Sequence, residues 1–101
     1  MADLKISGRM KVKTLKKEFK NAFGSTLRVY NGARFADDDA TLASIRDKNA
    51  KGGEFDVHGR TLIGNFEKKM KENFGIKVQV ADKDDKKLLP NDISLTQSGK
   101  Q

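Results

Sequence analysis

The side chains best suited to chemistry are few and isolated. His58, the single histidine, precedes Gly59-Arg60. An imidazole titrates near neutral pH and binds metals, but zinc sites recruit several His or Cys ligands. The chain has no cysteine, which excludes a thiolate site, a Cys nucleophile and a disulfide scaffold. His58 therefore reads as a polar strand-end residue. Asp37-Asp38-Asp39 invites a cation reading, but a calcium loop alternates its ligands around a central Gly and ends on a distal Glu. Without that spacing, the three acids are expected to cap the short helix that follows. Asp82, Asp84 and Asp85, interleaved with Lys83, read as a solvated turn. Gly52-Gly53 lacks both the Gly-Lys-Ser/Thr of a P-loop and the dinucleotide G-x-G-x-x-G. The expectation is no catalytic residue, no cofactor, no metal and no enzyme.

A basic stretch carries the remaining functional leverage. Residues 1–35 hold nine basic and two acidic residues, an excess of seven, while residues 36–101 hold twelve of each. The whole net charge of +7 thus sits in the first third. Arg9, Lys11, Lys13, Lys16, Lys17, Lys20 and Arg28 form a possible anion or nucleic-acid face, since phosphate contact needs only clustered cations. Base stacking also needs exposed aromatics. Tyr30 is the one candidate, outward by strand parity, and the RNP pattern of an RRM is missing.

The 101 residues suit one small domain, residues 1–101. Leu, Ile, Val and Phe total 24, enough to fold, under a surface rich in charge at 35%. No apolar run is long enough for a membrane span, and the opening residues show no secretory signal core.

The elements that must position these residues come in duplicate. Slid by 51, residues 3–30 match residues 54–81 with seven identities in 28 positions: Gly8/Gly59, Arg9/Arg60, Lys17/Lys68, Lys20/Lys71, Phe23/Phe74, Gly24/Gly75 and Val29/Val80. With a two-residue shift, Asp38–Leu42 falls on Asn91–Leu95. This pattern reads as two tandem repeats, 3–49 and 54–98. Residues 3–24 carry seven basic and two acidic residues, whereas residues 54–75 carry four of each.

Each repeat opens with alternation, Leu4, Ile6, Met10 and Val12 being apolar, with Gly8-Arg9 interrupting. A three-residue loop centred on Gly8 would pair Ile6 with Met10; a single bent strand is the alternative. Thr14 and Asn65 are expected N-caps for helices with apolar stripes Leu15, Phe19, Ala22, Phe23 and Phe66, Met70, Phe74. Gly24 and Gly75 should end them in the left-handed conformation. Strands at Thr26–Tyr30 and Lys77–Ala81 follow, then the Asn31-Gly32 turn and a short helix over Asp39–Ile45, with a weaker version behind Pro90. Ala50-Lys-Gly-Gly53 reads as a turn joining the repeats. The fold class is α+β: two pseudo-symmetric ββαβ repeats, β-grasp-like, or alternatively a ferredoxin-like βαββαβ.

Residues 27–45 show a cadence of apolar strand, Gly turn, acidic loop, Thr-Leu and apolar helix. It resembles the strand–turn–short-helix stretch of ubiquitin-like proteins. Met10–Phe19 together with Phe35–Arg46 resembles small bacterial proteins without assigned function. That resemblance implies a compact cytoplasmic domain and supplies no catalytic or binding residue. The expected function is a small non-enzymatic protein-interaction or regulatory module with a protein partner. The alternative is sequence-nonspecific nucleic-acid binding through the basic N-terminal repeat, with no membrane role in either case.

Overall fold

Leu4 and Ile6 alternate with Asp3 and Lys5, and this period of two makes Asp3–Ile6 the strand β1, its apolar side buried. The computed structural model describes residues 3–46, Ala50 and residues 54–100. After β1 the chain turns at Gly8-Arg9 and enters the helix α1, Val12–Phe23. The strands β2 (Thr26–Asn31) and β3 (Arg34–Phe35) and the helix α2 (Leu42–Ile45) follow. The second half runs β4 (Phe55–His58), α3 (Ile63–Phe74), β5 (Val78–Ala81) and α4 (Leu95–Ser98). The fold is α+β, with two antiparallel sheets. Residues 51–53 of the expected glycine turn lie outside the described residues.

Inside each half, the order differs from both architectures drawn from the sequence. Residues 10–12 make neither the second strand of a hairpin nor the end of one long strand. Lys11 forms a single isolated bridge to Thr41, and Val12 already belongs to α1. Val12 fits both periodicities, and the helical one wins because Val12, Leu15, Phe19 and Phe23 then bury together along one side. No single ferredoxin-like sheet forms either: β1 pairs with β4, and β3-β2-β5 make a separate sheet.

The helix starts also depart from expectation. Thr14 and Asn65 lie in the first turns; the N-caps are Lys11 and Leu62, neither with a side-chain capping bond. Free N–H groups at a helix start need acceptors, and here the loop before each short helix supplies them. Val12 and Lys13 donate to the Ala40 and Asp38 carbonyls at 2.8 and 3.0 Å. Ile63 and Gly64 donate to Ile93 and Asn91 at 2.9 and 3.0 Å. Asp37–Asp39 do not cap α2: Thr41 does, accepting from the Ser44 N–H. The short helix behind Pro90 is the better capped, with a reciprocal Ser94–Gln97 box. Gly24 and Gly75 end the long helices at φ 87° and 67°, as expected of left-handed caps.

In the β1–β4 ladder Lys5 faces Asp56, and in the β2–β5 ladder Arg28 faces Gln79. Both facing pairs are 51 positions apart, so each ladder is centred on counterpart residues, as a twofold relation between like antiparallel strands requires. The inner sides of both sheets and the stripes of α1 and α3 form one core cluster. At its centre Phe19 stacks on Phe66 with ring centroids 5.4 Å apart. The buried hydroxyls of Ser25 and Ser98 share a hydrogen bond of 2.7 Å, and Ser98 also donates to the Leu95 carbonyl, so no buried side-chain polar atom among the described residues lacks a partner.

Candidate functional site

The basic residues nominated from the sequence divide into groups. Lys13, Lys16, Lys17 and Lys20 follow one another at helical spacing on α1, whose other side enters the core. Two of them are neutralised by the acidic loop: Lys13 pairs with Asp39 at 2.9 Å and Lys16 with Asp38 at 3.2 Å. The Lys13 ammonium holds the Asp39 carboxyl below its ordinary pKa, and Asp39 raises Lys13 in return. Lys20 donates to the Lys83 carbonyl and to Thr26 Oγ1. Arg28 lies on the side of β2 opposite the buried Leu27 and Val29, so it points away from the core on which α1 packs. Its guanidinium meets Asp85 at 2.7 Å, and that hydrogen bond raises its pKa further. Arg28 and Lys20 therefore meet through the 83–85 turn and through Thr26, which shares the Arg28 side of β2. Arg9, Lys11 and Lys17 form no ion pair among the described residues; Arg9 borders an open depression beside Thr41, Arg46 and Glu54.

The acidic turn at 82–85 is ordered by more than solvent. Asp82 Oδ1 accepts the Lys86 N–H at 2.8 Å, which lowers the Asp82 pKa, and Asp85 sits at φ 57°. His58 bonds Asp3 Oδ1 through Nδ1 at 2.9 Å across the β1–β4 ladder, consistent with a strand-end role. Among the described residues no three His, Asp or Glu side chains are grouped as a metal site requires, and no helix is long and apolar enough to cross a membrane.

The outer face of the β3-β2-β5 sheet brings together residues that the sequence reading kept apart. Tyr30, outward by parity, stands opposite Phe35 across β2–β3. The rings stack with centroids 5.0 Å apart and planes 20° from parallel. On the other side, Tyr30 N–H bonds the Lys77 carbonyl at 2.9 Å, and Lys77 Nζ lies 5.5 Å from the Tyr30 ring centroid. The Tyr30 hydroxyl donates to Gln79 Oε1 at 2.6 Å. Phe35 is 67% exposed, the most open large apolar side chain among the described residues.

Phe35, Arg34 and Lys77 were missed in the sequence, although a signal for Phe35 existed. Asn31 pairs with Arg34 around Gly32-Ala33, and Gly32 has φ 66°. A two-residue hairpin loop of that kind puts the next residue, Phe35, directly opposite Tyr30. Comparisons of this chain with protein-family models, with curated proteins and with solved structures found no match.

Proposed function

We propose that the chain is a small non-enzymatic interaction module that recognises a macromolecular partner on the outer face of the β3-β2-β5 sheet. A cytoplasmic setting belongs to the same proposal and rests on the family resemblance. The observation that carries it is Phe35, largely open to solvent yet held in place by Tyr30, which is itself tied to Gln79. A pre-ordered exposed aromatic loses little freedom on binding, and such residues anchor macromolecular interfaces. The test immobilises the full chain and its Phe35→Ala variant and exposes both to lysate of the producing cell at physiological salt. A protein or nucleic acid retained by the native chain and lost with Phe35→Ala supports the module. Nothing retained, or equal retention by both, overturns it.

A second reading places sequence-nonspecific nucleic-acid binding along α1. Arg9, Lys11 and Lys17 favour it, because their charges are not spent on ion pairs among the described residues. Changing Lys16, Lys17 and Lys20 together to Glu should then abolish binding to duplex at ~50 mM salt; unchanged affinity rejects this reading.

A further inference from the structure

We propose that the aromatic end of the outer sheet face binds single-stranded nucleic acid, with one base stacked on Phe35 and a neighbouring phosphate met by Lys77. The inference rests on the reading of this face as the contact surface and adds the class of partner.

The argument begins with the order of groups across the sheet. Strand order β3-β2-β5 lays out Phe35, Tyr30 and Lys77 in a row, with Tyr30 between the other two. One side of Tyr30 is covered by Phe35 and the other by the Lys77 ammonium. The free end of this short stack is therefore Phe35, on the edge strand. A flat group of one-ring size that joins there extends the stack by one member. Every nucleobase has such a face, so the site needs no sequence preference.

Charge supports the same occupant. Arg34 adjoins Phe35 in the chain, is exposed, and forms no ion pair among the described residues. Lys77 is exposed, and Arg28 stands on the same face with Asp85 as its partner. Of these cations Lys77 lies against the stack itself, 5.5 Å from the Tyr30 ring centroid, while Arg34 points to the other side of the edge strand, and the net charge of +7 favours a polyanion over an acidic or neutral one-ring ligand.

A hydrophobic protein interface fits less well. The other exposed apolar side chain on this face, Leu88, pairs through Ala81 at the opposite end of the ladder. Arg28 and Gln79 lie between them at the ladder centre. The apolar surface is thus split into two small spots, whereas protein interfaces centre on a contiguous desolvated core. Duplex fits less well too, because its bases already stack on one another.

The test uses the full chain and fluorescently labelled 12-nucleotide oligo-dT, oligo-U and a duplex of equal length, followed by anisotropy. Both single strands should bind at ~50 mM salt and bind more weakly as salt rises. Emission of Tyr30, the one tyrosine in a chain without tryptophan, should be quenched on binding. Phe35→Ala removes an exposed side chain, and circular dichroism verifies its fold. This variant should lose about 5- to 150-fold in affinity, the range expected for one stacked base. Lys77→Gln should lower the log–log salt slope by roughly one unit. No binding of either single strand, unchanged affinity in Phe35→Ala, or tighter binding of duplex overturns the inference. Should the oligonucleotides fail while a protein from lysate is retained in a Phe35-dependent way, the inference falls and the interaction module stands. Should neither be retained, both fall.

Discussion

At one end of the outer sheet face Phe35, Tyr30 and Lys77 stand in a row; at the other, Leu88, Ala81 and Thr26 occupy the counterpart positions. The backbone beneath shares key bonds, although β2–β3 is a ladder of two pairs and Ala81–Leu88 a single bridge. Ala36 N–H bonds the Val29 carbonyl at 2.9 Å, and Leu89 N–H bonds the Val80 carbonyl at 3.0 Å. The turn bonds match as well: Ala43 donates to Gly8, and Thr96 to Gly59, each at 2.9 Å. Along the long helices, Lys13 and Lys16, which meet the acidic loop, have Gly64 and Glu67 as counterparts. One backbone scheme is therefore built twice, once with the aromatic stack and the lysine–aspartate pairs and once without.

The halves also share one core, and the strongest way to break the comparison is to attack that core from one side. Phe66 is fully buried against Phe19. Phe66→Ala should cost about 3–5 kcal/mol. Far-ultraviolet circular dichroism and Tyr30 emission, which reports on the β2–β5 contact between the halves, should show one coincident transition. Two separate transitions would mean that the contact between the halves is lost apart from the rest of the fold.

The next contrast lies at the ends of the short helices. A Cβ on Gly99 would sit 1.7 Å from the Phe23 carbonyl oxygen, a backbone atom, whereas the counterpart Arg46 is exposed. Gly99→Ala should lower stability by about 1–3 kcal/mol and Arg46→Ala by less than about 0.5. Urea midpoints measure both, and equal shifts would erase the asymmetry.

Ser25 and Ser98 bond in the interior where the counterpart positions are Ile76 and Ile45. Ser25→Ala strips Ser98 of one partner and should cost roughly 1 kcal/mol. A neutral or stabilising result would show that the polar pair is worth no more than the apolar one.

The smallest effect is in pH dependence. Partial burial raises the pKa of Glu67, whose counterpart is Lys16. The folded state holds that proton more tightly than the unfolded chain does. Its contribution to stability is therefore complete below the ordinary glutamate value of 4.5 and declines as pH rises through the folded value. Asp39, lowered by Lys13, has the opposite sign: its contribution is present at neutral pH and lost as pH falls through the folded value. Thermal midpoints between about pH 3 and pH 7 should show Glu67→Gln gaining on the native chain as pH rises and Asp39→Asn converging with it as pH falls. Parallel curves would refute both.

Much of this architecture is legible in the sequence. The stripes Leu15, Phe19, Phe23 and Phe66, Met70, Phe74 are buried, and the strands turn Leu27, Val29, Val78 and Val80 inward. The errors fall where two local patterns overlap. Val12 suited both an alternating strand and a helical stripe, and Thr14 and Asn65 had capping side chains that the loop carbonyls made unnecessary. Of the candidate site, the basic helix was visible as a charge count, but its partial neutralisation was not.

Periodicity, the left-handed glycines and the matched spacing of the halves are properties of neighbouring residues, so the sequence alone determined the helices, most strands and the α+β class. The partners of those elements are properties of contacts across the fold. Lys16 meets Asp38 across 22 positions and Arg28 meets Asp85 across 57. Only the tertiary structure decided that charges counted as one basic face would be split and partly paired. Only the β2–β3 register put Phe35 on Tyr30, because an antiparallel ladder dictates which side chains stand opposite one another.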